Sequence, residues 1–299
     1  MIVVWVVMTL EQLRLFIAVA EREHVTAASR ALNVTQSAVS AGIATLEERH
    51  GVKLFHRVGR GIRLTEAGRL FLPEARAVLA RASAAEAVLE EFSGLKRGTL
   101  RVVASQTIAA YWLPVTLVAF RRKYPHVAVE LAITNTEEAA TRVRDGEVDL
   151  GIVEAIVDDP VLAQWPIGTD RLTIIQASPC LPDAVDAQWL RAASWVMREP
   201  GSGTRATLEH NLRQFGIEPA ELNVSLVLPS NEGVRTAIEA GAGIGALSSL
   251  VVTPALHAGT LHAVPQALGI RSFYGLRHKE RYRSPAAEAL LSLIADRSL

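Results

Sequence analysis

The 299-residue sequence predicts a mixed fold class: an N-terminal winged helix-turn-helix of all-α type, followed by a larger two-lobed α/β domain. Three observations predict it. Apolar residues recur at helical spacing up to about residue 93. Glycines punctuate one short alternating stretch within that region. From residue 99 onward, apolar runs of strand type alternate with helical patterns, twice over.

The N-terminal helices come first. Leu10, Leu13, Phe16, Ile17 and Ala20 fall on one face, so residues 9–22 read as an amphipathic helix. Thr9 is a suitable N-cap, and Gln12 three residues on completes a capping box. Thr26 opens a short helix whose alanines, Ala27, Ala28 and Ala31, let a neighbour approach closely. Asn33 breaks that helix and Thr35 caps the next. There Val39, Ile43 and Leu46 form the buried stripe, while Gln36, Ser37, Ser40 and Thr45 lie off it. Two short helices joined by a tight turn, the second with an exposed polar N-terminal face, make a helix-turn-helix. The second helix has the shape to enter a major groove. Gln36 then suits a base edge, most naturally adenine, and Ser37 and Ser40 suit bases or phosphates.

Alternation around Gly59 and Gly61 reads as a short hairpin. Residues 49 to 63 carry Arg49, Lys53, Arg57, Arg60 and Arg63 with no carboxylate among them. A hairpin with that charge can lie along a phosphate backbone, with Arg60 reaching into a minor groove. Thr35, Gln36, Ser37, Ser40, Arg57 and Arg60 are therefore the candidate DNA contacts.

The run Leu10–Phe71, with TAASRALNVTQSAVSAGIATLEERHGVKLFHR and RGIRLTEAGRLFL, closely resembles the DNA-binding domain of LysR-type transcriptional regulators. The resemblance spans the segment without a gap. It implies that Gln36, Ser37, Ser40 and the wing Arg60 face DNA, and that the chain forms a homodimer and commonly a homotetramer.

Residues 65–93 are rich in Ala, Leu and Glu. Leu70, Ala77, Ala80, Ala84, Ala87 and Leu89 give a long apolar stripe, read as a dimerisation helix, and Pro73 is a candidate kink. Two-fold pairing would set two recognition helices about 34 Å apart, or a multiple of that, on a palindromic site. Ser93–Gly98 reads as a hinge. The expected domains are 8–65 for DNA binding, 66–93 for linkage and dimerisation, and 94–299 for effector binding.

In the last part, strands are expected at 99–105, 127–133, 148–153, 171–178, 194–199, 223–228 and 243–248. Helices are expected at 110–123, 136–146, after Gly203 and at 231–240. This alternation implies mostly parallel, doubly wound sheets. Two such sets resemble a two-lobed periplasmic-binding-protein-like sensor, as the LysR resemblance also implies. A final strand and helix, about 269–296, would return to the first lobe, so that lobe I would hold about 99–168 and 269–299, and lobe II about 169–268. Ligands in such folds bind beyond the carboxyl ends of strands, between lobes.

Two strand ends supply polar groups there. One is Ser105-Gln106-Thr107. The other lies in Arg198–Arg205, where Ser202, Gly203, Thr204 and the amides of a helix N-terminus can hold an anion and Arg205 adds a charge or braces the loop. These seven residues, 105–107 and 202–205, are the candidate effector contacts, and they suit a small anionic metabolite. Asn231 reads as an N-cap, Glu154 as a residue that orders the crevice or repels a wrongly charged ligand, and Asn135 as a weaker ligand candidate. REPGSGTR, DLGIVE and SNEGVRTAIEAGAGIG resemble, more loosely, the LysR subgroup that includes controllers of carbon fixation and of cysteine synthesis.

Composition sets limits. Lys plus Arg equals Asp plus Glu, 31 each, so partner charge must be read locally. Cys180 is the only cysteine, which leaves no intramolecular disulfide and no cysteine-based zinc cluster, and it reads as a plain loop residue. There is no HExxH, no GxSxG and no Gly-Lys-Ser/Thr phosphate loop, so neither an enzyme nor a cofactor or metal is expected. The apolar start Met1–Val7 is far short of a membrane span and reads as an extension upstream of a start at Met8. A cytoplasmic protein with no membrane partner is the expectation.

Overall fold

The computed structural model describes residues 8–59, 61–91, 98–180 and 185–297. The Met1–Val7 extension, Arg60 and most of the predicted hinge lie outside them, as do the side chains of Ala84, Ala87 and Leu89. The chain forms two compact units, one of residues 1–89 with 145–147, the other of the remainder.

In the first unit, α1 (Leu10–Arg22) carries the expected capping box between Thr9 and Gln12. Leu10, at the helix start, is 42% exposed and drops out of the predicted apolar stripe. Helix α2 (Val25–Ala31) starts one residue earlier than expected, because His24 rather than a hydroxyl residue caps it. Asn33 turns the chain in the left-handed region at φ 54°. Thr35 then caps α3 (Gln36–His50) through Ala38 N. Strands β1 (Phe55–Val58) and β2 (Gly61–Leu64) pair antiparallel as the predicted hairpin. Helix α4 (Glu66–Glu91) runs through Pro73 without a break in its assignment.

Two apolar clusters hold this unit together. Leu15, Val19, Ala28, Val39 and Ile43 join the first three helices, and Leu13, Phe16, Leu46 and Leu54 pack toward α4. Phe16 lies 5.4 Å from Phe55 and 5.0 Å from Phe71 between ring centres. Gly68 lets α4 approach the chain before the hairpin, since a Cβ there would stand 2.2 Å from the Leu54 carbonyl oxygen.

The second unit contains β3 (Gly98–Ser105), α5 (Leu113–Lys123), β4 (Val127–Thr134), α6 (Thr136–Asp145), β5 (Leu150–Val153) and β6 (Leu162–Gln176). It continues with α7 (Ala187–Ala192), β7 (Ser194–Arg198), α8 (Gly203–Gln214), β8 (Asn223–Leu228), α9 (Asn231–Glu239) and β9 (Ile244–Ser248). Last come α10 (Ser249–Ala258), β10 (His262–His278) and α11 (Pro285–Arg297). Helices α7 and α10 were not anticipated; α7 has only six residues and α10 carries Pro254 inside it, and both features obscure a helical period.

The expectation of two mostly parallel sheets needs correction. Among the described residues of the second unit the strands form one eight-stranded sheet, ordered β4-β3-β5-β10-β6-β9-β7-β8. Strands β3, β4 and β5 are parallel, as are β7, β8 and β9. Between these sets run β6 and β10, antiparallel to each other and far longer than the predicted strands. Strand β10 pairs with β5 near Tyr274–Leu276, and β6 pairs with β9 near Leu172–Gln176. The two long strands therefore join the two parallel sets into one continuous ladder, β10 against β5 on one side and β6 against β9 on the other. Separate apolar cores flank the sheet, one on α5 and α11, another on α8, and a third on α9 and α10.

Candidate functional site

The first unit presents a polar surface at the start of α3. Gln36, Ser37 and Ser40 are exposed there, while Val39 and Ile43 anchor the opposite face. Thr35 is committed to its cap and lies 3.0 Å from the Ser37 hydroxyl. The Gln36 carbonyl accepts from Thr26 Oγ1 at 3.2 Å, which presets its side chain. A groove of about 330 Å³ opens between this helix end and the hairpin, lined by His24, Thr26, Gln36, Arg57, Gly61 and Ile62 among others. Ile62 N donates to Glu23 O and fixes the hairpin against the turn after α1.

The basic run is less uniform in three dimensions than in sequence. Lys53 pairs with Glu47 at 2.6 Å, and Arg63 lies 3.7 Å from Glu23. Arg57 is exposed on the groove. Glu47 is buried and accepts from the amides of Leu54 and Phe55 at 2.8 and 3.2 Å. Burial pushes its carboxyl up, but Lys53 and these amides outweigh that and hold it below its ordinary 4.5. Glu47 thereby ties the recognition helix to the base of the hairpin.

In the second unit, the predicted polar residues gather where the two parallel strand sets end. Ser105, Thr107, Ser202, Gly203 and Thr204 are all buried. Ser202 caps α8 by accepting from Arg205 N. The loop before α8 reaches the other lobe, with Glu137 N donating to Gly201 O at 3.2 Å. Gly203 is required there, since a Cβ would stand 2.6 Å from Thr136 Oγ1 and 3.1 Å from Glu154 Cβ. Asn135 caps α6 through Glu138 N at 2.9 Å.

Two of the predicted contacts spend their polar atoms on protein. Gln106 donates to Pro229 O at 2.8 Å and accepts from Asn231 N at 3.0 Å, so it spans the lobes. Arg205 braces its own loop through Glu209 and Arg198 O.

Asn231 departs from its expected role. Ser230 caps α9, and Asn231 is its first residue, buried, with its side chain turned toward Thr107 and Arg198. Its amide donates to Thr107 Oγ1 at 3.0 Å, and its carbonyl accepts from the buried Arg198, which also grips Glu199 at 2.7 and 2.9 Å. A second buried network centres on Arg271, which donates to Asp170 Oδ2 at 2.6 and 3.0 Å and to Thr204 Oγ1 at 3.2 Å. Its guanidinium lies 3.6 Å from Glu154 Oε2. Neither Arg271 nor Asp170 stands in a motif; a charged residue inside a long apolar strand was the one available signal.

Two protein-family models match the chain. "Bacterial regulatory helix-turn-helix protein, lysR family" covers residues 10–69, and "LysR substrate binding domain" covers residues 93–298. The chain belongs to the LysR family. It is a LysR-type DNA-binding transcriptional regulator, with the helix-turn-helix and effector-domain folds of that family.

Among LysR proteins, it is 34% identical to the uncharacterized HTH-type transcriptional regulator YeiE of Escherichia coli K12, over 95% of this chain and 96% of that one. It is 32% identical to a probable RuBisCO transcriptional regulator of Cyanidioschyzon merolae, over 93% and 95% respectively. The carbon-fixation likeness read from REPGSGTR and its companion motifs is thus present along the chain. A solved structure, the regulatory domain of Synechocystis PCC6803 CcmR in complex with 2-PG, is 26% identical with a TM-score of 0.60. It covers 67% of this LysR chain and 97% of its own.

Proposed function

We infer that the first unit of this regulator reads promoter DNA with the start of α3 in the major groove and the hairpin on the backbone. The observation that carries this is Gln36 and Arg57 lining one groove, with Ser37 and Ser40 exposed on the same helix start. Gln36 takes a base edge, Ser37 and Ser40 take bases or phosphates, Thr35 sits at the DNA-facing helix start as its cap, and Arg57 and Arg60 take phosphates and a minor groove. Pairing of two chains through α4 brings two such helices to one palindromic site. Leu70 at 70% exposure and Val78 at 44% support an apolar face on α4 that a second copy covers. A dimer, assembling further to a tetramer, is the proposed working form, inside the cell where its DNA lies. Residues 8–65, 66–93 and 94–299 are the proposed divisions of labour.

The crevice of the second unit takes a small anionic metabolite on Ser105, Thr107, Ser202, Gly203 and Thr204, with Gln106 and Arg205 holding the walls. The hydroxyls and the free amides at the start of α8 supply donors for negative charge. The 2-PG held by the CcmR regulatory domain is an anion of this kind and supports the reading. Such a ligand changes promoter binding only through unequal affinity for two assembly states.

The test is binding of purified protein to the intergenic region beside its own gene, at two salt concentrations and against random DNA. A specific shift that weakens steeply with salt is expected. Equal binding to random DNA would overturn sequence recognition at that site.

A further inference from the structure

Among the described residues of the second unit, three buried side-chain polar atoms lack a hydrogen-bond partner: Ser105 Oγ, Thr136 Oγ1 and Glu154 Oε1. They share one place. Ser105 ends β3, Thr136 follows β4 by two residues, and Glu154 follows β5 directly. Strands β4, β3 and β5 are neighbours, with Ser105 in register with Thr134 and Ala104 with Ile152. The start of α8 faces the same place, as the close approach of Gly203 to Thr136 and Glu154 records. Buried polar atoms are ordinarily satisfied, so three together at a strand-end crevice point to a ligand.

Glu154 gives that ligand a chemical signature. Arg271 directs its two shortest bonds to Asp170 and stands 3.6 Å from Glu154. One guanidinium thus faces two carboxylates. Thr204 Oγ1 donates to Glu154 Oε2 at 3.3 Å, which leaves Oε1. A carboxylate oxygen accepts and does not donate. The hydroxyls of Ser105 and Thr136 and the α8 amides can serve an anion's oxygens; Glu154 Oε1 cannot.

We propose that Glu154 selects the effector by accepting a hydrogen bond that the ligand itself donates. The crevice then takes small anions bearing an O–H or N–H, such as hydrogen phosphate or a 2-hydroxy or 2-amino acid. It rejects anions that present acceptors alone, such as sulfate or a simple carboxylate, because their oxygens would face the Glu154 oxygen without a proton between them. The inference rests on the effector crevice proposed above.

The experiment is isothermal titration of the full chain at neutral pH and constant ionic strength with two matched pairs, phosphate against sulfate and lactate against propionate. At least one donor-bearing member should bind about tenfold or more tighter than its partner, the factor an unsatisfied buried acceptor implies. Glu154→Gln, whose amide both donates and accepts, should bring the pair within about threefold. If that variant does not fold, Glu154→Asp serves instead. It keeps the charge but withdraws the oxygen, and should weaken the donor-bearing probe alone by about tenfold. Ser105→Ala should weaken both members. Equal binding within each pair in the wild type, with both lost in Ser105→Ala, overturns Glu154 selection and leaves the crevice reading standing. Absence of binding by every probe, or binding indifferent to Ser105→Ala, overturns both.

Discussion

Asn231 donates its side-chain amide to Thr107 Oγ1 at 3.0 Å, joining the start of α9 to the residues just after β3. The same side chain accepts from Arg198, and the Asn231 backbone amide donates to Gln106. One residue of lobe II is thus held by two neighbouring residues of lobe I and by a buried cation of its own lobe. The lobes are registered to each other by hydrogen bonds rather than by apolar packing at this point. Tyr111 adds a bond at the rim, donating to Glu232 at 3.0 Å from the π-helical turn Ile108–Trp112. Burial, and then Glu232 itself, raise the Tyr111 phenol above its ordinary value, so it remains a donor at neutral pH.

Asn231→Ala removes two side-chain bonds and leaves a buried guanidinium short of an acceptor. The expected loss is about 3 kcal/mol from the second unit, read by urea denaturation. Thr107→Val should cost about 1 kcal/mol. The double variant should lose less than the sum, since both changes remove the same bond. Strict additivity would show that the Asn231–Thr107 bond contributes nothing.

Gln36→Ala should relax sequence preference while leaving affinity for random DNA nearly unchanged. Arg57→Ala and Arg60→Ala should instead weaken specific and random DNA alike and lower the salt slope by about one each. Competition binding at several salt concentrations separates these outcomes. If Gln36→Ala discriminates as the wild type does, the register assigned to α3 on DNA is wrong.

Glu47 makes the first unit acid-sensitive. Its folded value lies below 4.5, so it adds stability that is present above the unfolded value and is lost as pH falls through the folded one. Thermal melting of the wild type from neutral pH to about pH 3 should show that loss. Glu47→Gln, without a titrating group, should be less stable at neutral pH and flatter across the acid window. Parallel acid profiles for the two proteins would remove Glu47 from the account.

Gly68→Ala sets two effects against each other. Alanine improves an α-helix interior by about 1 kcal/mol over glycine. The new Cβ, however, would stand 2.2 Å from a backbone carbonyl oxygen, which cannot swing aside as a side chain can. The clash should win, with a net loss of about 1–3 kcal/mol, measured by denaturant unfolding. A more stable variant would show that α4 has room to shift.

Leu70→Glu places a charge on the exposed apolar face of α4. Sedimentation should move from the assembled form toward monomer, with helix content by circular dichroism preserved. Unchanged sedimentation would place the subunit interface elsewhere.

Much of the first unit was legible because its signals are local. Thr9 with Gln12, Thr35 before α3, and the glycine-marked hairpin each act within a few residues. His24 as the α2 cap was missed because an imidazole is a rare substitute for a hydroxyl there. In the second unit, strand positions were legible from apolar runs, but β6 and β10 were read short. Pro166 and Gly269 interrupt them in sequence, and the strands pass those points as irregular pairing in β10–β6. Asn231 looked like a cap because it opens a helix; Ser230, one residue earlier, takes that work and frees it for Thr107 and Arg198.

The sequence by itself determined the order of elements, the helix-turn-helix with its basic hairpin, and the two polar strand ends, since each follows from periodicity, capping or adjacency along the chain. Only the tertiary structure decided that the lobes share one continuous sheet, that Lys53 is paired while Arg57 lines the groove, and that Arg271, Asp170, Glu154 and Thr204 meet. Arg271 and Asp170 are separated by 101 residues, and Asn231 and Thr107 by 124. Electrostatic pairing depends on distance in space, and no local pattern encodes a partner that far along the chain.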